Sequence, residues 1–206
     1  MATRRRQPEV TRAQLLQAAR QRFGTVGFAA TSMEDLVRSV GVTKGALYHH
    51  FAGKEELFRA VVDLVITESV EKVSIPQVIT GDAWDATIEG MLSYLDLCLE
   101  PGNLQILVLD APAVLGLSAV GAIAEGALGR RWEVVLRSHM RFGLIDRLPV
   151  AALGHLLATA VTEASVFVAG AAEPKEARKD AGRVLSRIMN GLRCAGRSSD
   201  VRIGSC

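Results

Sequence analysis

TSMEDLVRSVGVTKGALYHHFAGKEELF, residues Thr31–Phe58, decides how this chain is read. Ser32 followed by Asp35 is a capping-box-like helix start, with the hydroxyl placed to accept from an orphan backbone N–H. Leu36 and Val40 recur at i and i+4, giving one apolar stripe on a helix of about two turns. Gly41 suits the left-handed conformation that ends a helix, Val42 plugs the turn, and Thr43 caps a second helix to about Phe51. On that second helix Leu47 and Phe51 share a face. Gly45, Ala46 and His49 therefore point outward, with Tyr48 and His50 on the flanks. This helix is too small to be a core element by itself. Two short helices joined by a tight turn are how a helix-turn-helix offers a recognition helix to the DNA major groove.

The stretch resembles the DNA-binding domain of TetR-family transcriptional regulators. The family pattern is matched at Ser32, Leu36, Gly41, Val42, Thr43, Gly45, Leu47, Tyr48, His50, Phe51, Lys54 and Leu57. It covers about Thr11–Val73 and departs at Val37, where the family usually carries Ala. LQILVLDAPAVLG (Leu104–Gly116) and PVAALGHLLATAVTEA (Pro149–Ala164) resemble regulatory domains common in actinobacterial members. The resemblance implies that Tyr48, His49 and Lys54 hold phosphates. Lys54 also opens a helix, whose free N–H groups attract phosphate. Lys44 is the candidate for base readout, donating to guanine O6/N7. Gly45 lets the backbone approach, Ala46 can touch a thymine methyl, and Thr43 can reach a phosphate besides capping. Ser32 and His50 complete the expected DNA-binding set, His50 with packing as an equal alternative. Direct readout is thin on such a surface, so DNA shape carries part of the specificity.

Composition agrees. The chain has 206 residues, 49% apolar and 5% aromatic, dominated by Ala, Leu and Val without hairpin signals. This predicts an all-α fold: a three-helix DNA-binding domain followed by a helical regulatory and dimerisation domain. Residues 1–58 hold nine Lys/Arg against five Asp/Glu, and 59–206 hold fifteen against seventeen, so the basic end carries the recognition helix. Cys98, Cys194 and Cys206 are too widely spaced for a metal cluster and read as reduced thiols of a cytoplasmic protein. Arg4–Arg6 lead into Gln7, Pro8 and Glu9, which is no signal peptide. Val150–Ala172, the most apolar region, is interrupted by His155 and Glu163, so no membrane span is expected.

The expected domains are a flexible basic arm over 1–10, the DNA-binding domain with its linking helix over 11–75, the regulatory domain over 76–196, and a disordered tail over 197–206. The capping box Thr11–Gln14 opens a helix expected to stop near Gly24–Gly27. Pro76 and Gly81 mark the linker. Gly121, Gly126 and Gly129 predict that the first half of the helix Ser118–Phe142 is broken or mobile. The helix Leu153–Val168 is apolar on nearly every side and the last helix carries one apolar stripe, so both need cover. In the family the final two helices of each subunit pair into a four-helix dimer interface. The residues expected there are Leu153, Leu157, Ala160, Ala164, Ala181, Val184, Leu185, Ile188 and Leu192.

The family also implies a pocket for a small, often apolar effector. Candidates are Trp84, Ile88, Met91, Leu95, Leu107, Asp110, Trp132, Met140, Glu163 and Phe167. A carboxylate amid apolar residues, as at Asp110 or Glu163, needs a partner or a cavity. The expected function is a homodimeric regulator, a repressor on a palindromic double-stranded operator, released by a small molecule. The alternative is a regulator of the same fold that ignores ligands or activates. No nucleophile elbow, phosphate loop, metal cluster or paired carboxylates point to an enzyme or cofactor.

Overall fold

The computed structural model describes residues 3–73 and 83–194, and among these the side chains of all but 3–11, Leu128 and Arg130. The described residues are helical, as the composition predicts, apart from turns and one isolated antiparallel bridge between Ile145 and Arg193. In order the helices are α1 (Thr3–Ala30), α2 (Met33–Val40), α3 (Lys44–His50), α4 (Lys54–Lys72), α5 (Ala83–Leu99), α6 (Pro101–Asn103), a π-helical turn Leu104–Asp110, α7 (Ala111–Leu115), α8 (Leu117–Arg141), α9 (Val150–Ala169) and α10 (Pro174–Gly191).

The chain forms two compact units, residues 1–72 with 96–127 and residues 73–95 with 128–206. By packing, the segment 96–127 belongs with the first unit, whereas the expected boundary at 75 divides the chain in sequence. The linker at Pro76–Gly81 and the tail 197–206 lie outside the described residues. The arm expected over 1–10 is also corrected: from Thr3 onward the backbone is already α1. Its Arg, Gln and Glu residues are good helix formers, so Thr11 does not begin the helix.

In the first unit Leu15, Leu16, Ala19 and Phe23 of α1 are buried, at the i, i+4, i+8 spacing of one helix face. They meet Leu57, Phe58, Val61, Val62 and Val65 of α4, all fully buried. Phe23, Phe28 and Phe58 form an aromatic knot, with centroids 5.8, 5.0 and 4.9 Å apart. An Arg20–Glu68 ion pair joins α1 to α4 further along.

Gly27 kinks α1 rather than ending it. Its φ of 80° and ψ of 171° are open essentially to glycine alone. The kink turns the N–H of Phe28 outward from the helix, where the Asp110 carboxylate accepts it at 2.7 Å. Asp110 thus finds its partner in the backbone of α1, at the end of the π-helical turn.

In the second unit α9 and α10 pack on one another. Arg178 of α10 donates to the Leu92 carbonyl of α5 at 3.2 Å, and Arg193 pairs with Asp85 at 3.0 Å. A Cβ at Gly154 would stand 3.7 Å from Trp132, so the glycine lets α9 lie close to α8. The glycines of α8 leave its backbone continuous, against the expected break: each costs only about 1 kcal/mol in a helix held by packing.

Candidate functional site

The helix-turn-helix is built almost as its residues dictate. Ser32 Oγ accepts from the N–H groups of Glu34 and Asp35, at 3.2 and 3.4 Å, and so caps α2. Gly41 ends α2 in the left-handed conformation (φ 74°), its N–H donating to the Val37 carbonyl at 3.0 Å. Thr43 Oγ1 accepts from the N–H of Ala46 at 3.2 Å and caps α3. Leu36, Leu47 and Phe51 are buried and fix the rotation of both helices. Arg12 lies over the Phe51 ring, 5.2 Å from its centroid.

That rotation sets what α3 shows. Thr43, Lys44, Gly45, Tyr48 and His49 are exposed, Ala46 and His50 half-buried. Tyr48 is 53% exposed, far too open for a core aromatic. His50 lies between the His49 and Phe51 rings, 5.4 and 6.4 Å away, so it serves packing as well as the surface.

Two of the expected cations are not where a bare reading leaves them. Lys44 pairs across the turn with Glu34 of α2, an interaction that raises the lysine pKa and lowers that of Glu34. Glu34 stands ten residues away and no spacing rule flagged it. Lys54, the other, turns its ammonium back onto the chain in the absence of DNA. That group donates to the Ala29 carbonyl at 3.2 Å and sits 4.4 Å from the Phe28 centroid. Burial lowers its pKa, with the Asp110 carboxylate acting the other way. A lysine stem beside an aromatic knot gains more by folding onto it than by standing in water.

Sequence and fold comparisons agree with this geometry. Residues 15–61 match the family model described as bacterial regulatory proteins, tetR family, and residues 84–192 match a tetracyclin repressor-like C-terminal domain. The chain is a TetR-family transcriptional regulator. The HTH-type transcriptional regulator TtgR of Pseudomonas putida is 41% identical over 67% of this chain and 78% of its own. A TetR-family regulator from Pectobacterium atrosepticum superposes with a TM-score of 0.79 at 30% identity, covering 94% of this chain and 99% of that one. RolR in complex with resorcinol shares the fold, with a TM-score of 0.68 at 13% identity and coverage of 94% and 98%. The family members are regulators and not enzymes, and its helix-turn-helix binds DNA.

Within this TetR-family chain the ten expected effector residues separate. Trp84, Ile88, Met91, Leu95 and Trp132 are buried in the second unit, and Met140 is half-buried there. Leu107 and Asp110 pack in the first unit, where Asp110 accepts from the Phe28 N–H. Glu163 and Phe167 lie on the exposed side of α9, Phe167 at 58%. His139 and Thr87, which sequence reasoning passed over, are buried beside Trp84. A histidine in the last turn of a mixed helix gave no distinguishing signal.

The expected interface residues also divide. Leu153, Leu157, Ala181 and Leu185 are buried within the single chain. Ala160, Ala164 and Leu192 are half-buried. Val184 and Ile188 are open, and Leu156 and Phe167 join them as exposed apolar side chains.

Proposed function

We propose that this regulator is a ligand-responsive homodimeric repressor that binds a palindromic operator and is released by a small molecule. The observation that carries the dimer is the uncovered apolar face of the last two helices. Leu156 and Phe167 on α9, with Val184 and Ile188 on α10, are between 49% and 65% exposed. Covering what remains exposed of these four side chains would contribute about 1 kcal/mol each. α9 is long and apolar enough to cross a membrane by length and composition. It lies inside the matched regulatory domain, which favours a second subunit as its cover. Dimerisation matters for function because one exposed α3 touches little DNA. Two half-sites about a helical turn apart double the contacts. A protein of this kind acts in the cytoplasm, where its operator is.

Tyr48, His49 and the caps at Ser32 and Thr43 serve the phosphates, and Lys44 turns from Glu34 to a base edge. Ligand response is supported by the resorcinol complex of RolR, a fold relative. Release follows if the ligand binds better to a state whose recognition helices are wrongly spaced. A hundredfold loss of operator affinity needs about 2.7 kcal/mol of differential binding. The test is Ile188→Glu, read by sedimentation and by footprinting on the chain's own upstream region. Monomers with operator affinity down at least about a hundredfold are expected. A dimer that persists, or a footprint indifferent to the loss of the dimer, would overturn the reading.

A further inference from the structure

The second unit buries one polar cluster whose hydrogen bonds do not close. Trp84 and Thr87 of α5 and His139 of α8 are 0%, 1% and 1% exposed. Thr87 Oγ1 donates to the Ala83 carbonyl of its own helix at 2.8 Å, which uses its single proton. The same oxygen lies 2.8 Å from His139 Nε2, so it accepts there and Nε2 carries the ring hydrogen. His139 Nδ1 is therefore a bare acceptor. Burial lowers the pKa of this imidazole and keeps it neutral near pH 7. Neither Nδ1 nor the Trp84 Nε1–H has a hydrogen-bond partner among the described residues. The two rings meet edge to face with centroids 5.0 Å apart, which puts the two unpaired groups in one neighbourhood of the core.

A buried donor and a buried acceptor left unpaired cost about 1–3 kcal/mol each, and native cores leave few such groups. What they lack is specific. The indole needs an acceptor and the imidazole needs a donor. A carboxylate offers only acceptors and an ammonium only donors, and each would bring an unpaired charge into the core. A hydroxyl does both and is neutral. Ile88 and Met91 follow Trp84 and Thr87 by one turn on α5, Leu136 and Trp132 precede His139 by one and two turns on α8, and all four are buried, which favours an apolar remainder.

We propose that Trp84 and His139 are the hydrogen-bonding end of an effector site for small, neutral, apolar molecules that carry a hydroxyl. The hydroxyl accepts from Trp84 Nε1–H and donates to His139 Nδ1, and Thr87 is the positioning residue that holds the imidazole in the receptive tautomer. This rests on the ligand-responsive reading above and names the chemistry of its ligand.

The test uses 4-ethylphenol and 4-ethyltoluene, which differ by hydroxyl against methyl, titrated calorimetrically into the full-length protein. The phenol should bind about tenfold or more tightly than the hydrocarbon, the worth of one good hydrogen bond. That preference should vanish in Trp84→Phe and His139→Phe. In the unaltered protein, ¹⁵N-histidine spectra should show one Nδ1 resonance move with the phenol and stay still with the hydrocarbon, a readout that survives if the variants misfold. Thr87→Val should shift the tautomer balance in the same spectra. Equal affinities, a preference that outlives both substitutions, or no binding by either probe because a buried water holds the site, would each overturn the proposal. Operator release is read separately. A phenol preference without release upholds the site and sinks the ligand-responsive reading, whereas release by other compounds with no such preference does the reverse.

Discussion

The segment Ser32–Phe51 and the core around His139 handle polar groups in opposite ways. In the first, Ser32, Gly41 and Thr43 each satisfy a helix end, and Lys44 has Glu34. In the second, two fully buried polar atoms have no hydrogen-bond partner among the described residues. A surface that must meet DNA in one orientation gains from having every internal bond already made. A core that must receive a molecule gains from bonds left for that molecule to make. The contrast sets a reading head fixed in advance against a core that, on the proposal above, a ligand completes, and it can be broken at either end.

The largest effect should come from the foundation of the reading head. Phe58→Ala removes the ring that Phe23 and Phe28 both meet and should cost about 3–5 kcal/mol by urea unfolding, with operator binding lost alongside stability. A loss below about 1 kcal/mol would mean that the knot is not what holds α1 to α4.

Gly27→Ala comes next. It forces a side chain into φ 80°, ψ 171°, and the new Cβ would stand 3.1 Å from Gln105 Nε2 and 3.3 Å from Asp110 Oδ2. About 1–3 kcal/mol of stability should go. Hydrogen exchange at the Phe28 amide should accelerate more than at Leu47, because the Asp110 acceptor is the contact displaced. Equal protection at both amides would show that the kink has no hold on the helix leading into the recognition segment.

These two sites also mark how far the sequence could be read. The caps and turn around Gly41 link residues two to five apart, so type and spacing alone specify them, and α2 and α3 fall where expected. The bond from Phe28 to Asp110 spans 82 positions and that from Thr87 to His139 spans 52, and neither leaves a local trace. α9 shows the limit from another side. A helix apolar on nearly every face does not announce which half its own chain will cover. Its apolar pattern does not tell Leu153 and Leu157, which are buried within the chain, from Leu156 and Phe167, which stay open. Lys54 is intermediate: its place at the start of α4 was legible, but the turn of its ammonium onto Phe28 depends on an aromatic neighbour 26 residues back.

On the reading surface itself, Tyr48→Ala should weaken operator binding about tenfold at fixed salt without changing stability, since the ring is more than half exposed. Lys44→Ala should lower the slope of log affinity against log salt by about one and relax preference at one base position. Glu34→Gln frees the same ammonium and should raise affinity for unrelated DNA while the operator is less affected. Unchanged salt slopes in all three variants would remove α3 from the interface.

The smallest effect separates the two regions by pH. His139 has its pKa lowered by burial from an ordinary value of 6.5, so below that value the unfolded chain binds a proton that the folded chain resists. Its contribution to stability is therefore whole above about pH 6.5 and is lost as the pH falls from there toward the folded value. Between about pH 7.5 and 5.5 the unfolding midpoint should drop more steeply in the unaltered protein than in His139→Gln, which has nothing there to protonate. A neutral hydroxyl on Nδ1 requires the unprotonated ring, so saturating 4-ethylphenol should raise the midpoint more at pH 7.5 than at 5.5. Parallel curves for the two proteins would show that His139 is not the buried base this geometry makes it. If the curves diverge but the phenol raises the midpoint equally at both pH values, the base is real and its lone pair is not where the ligand binds.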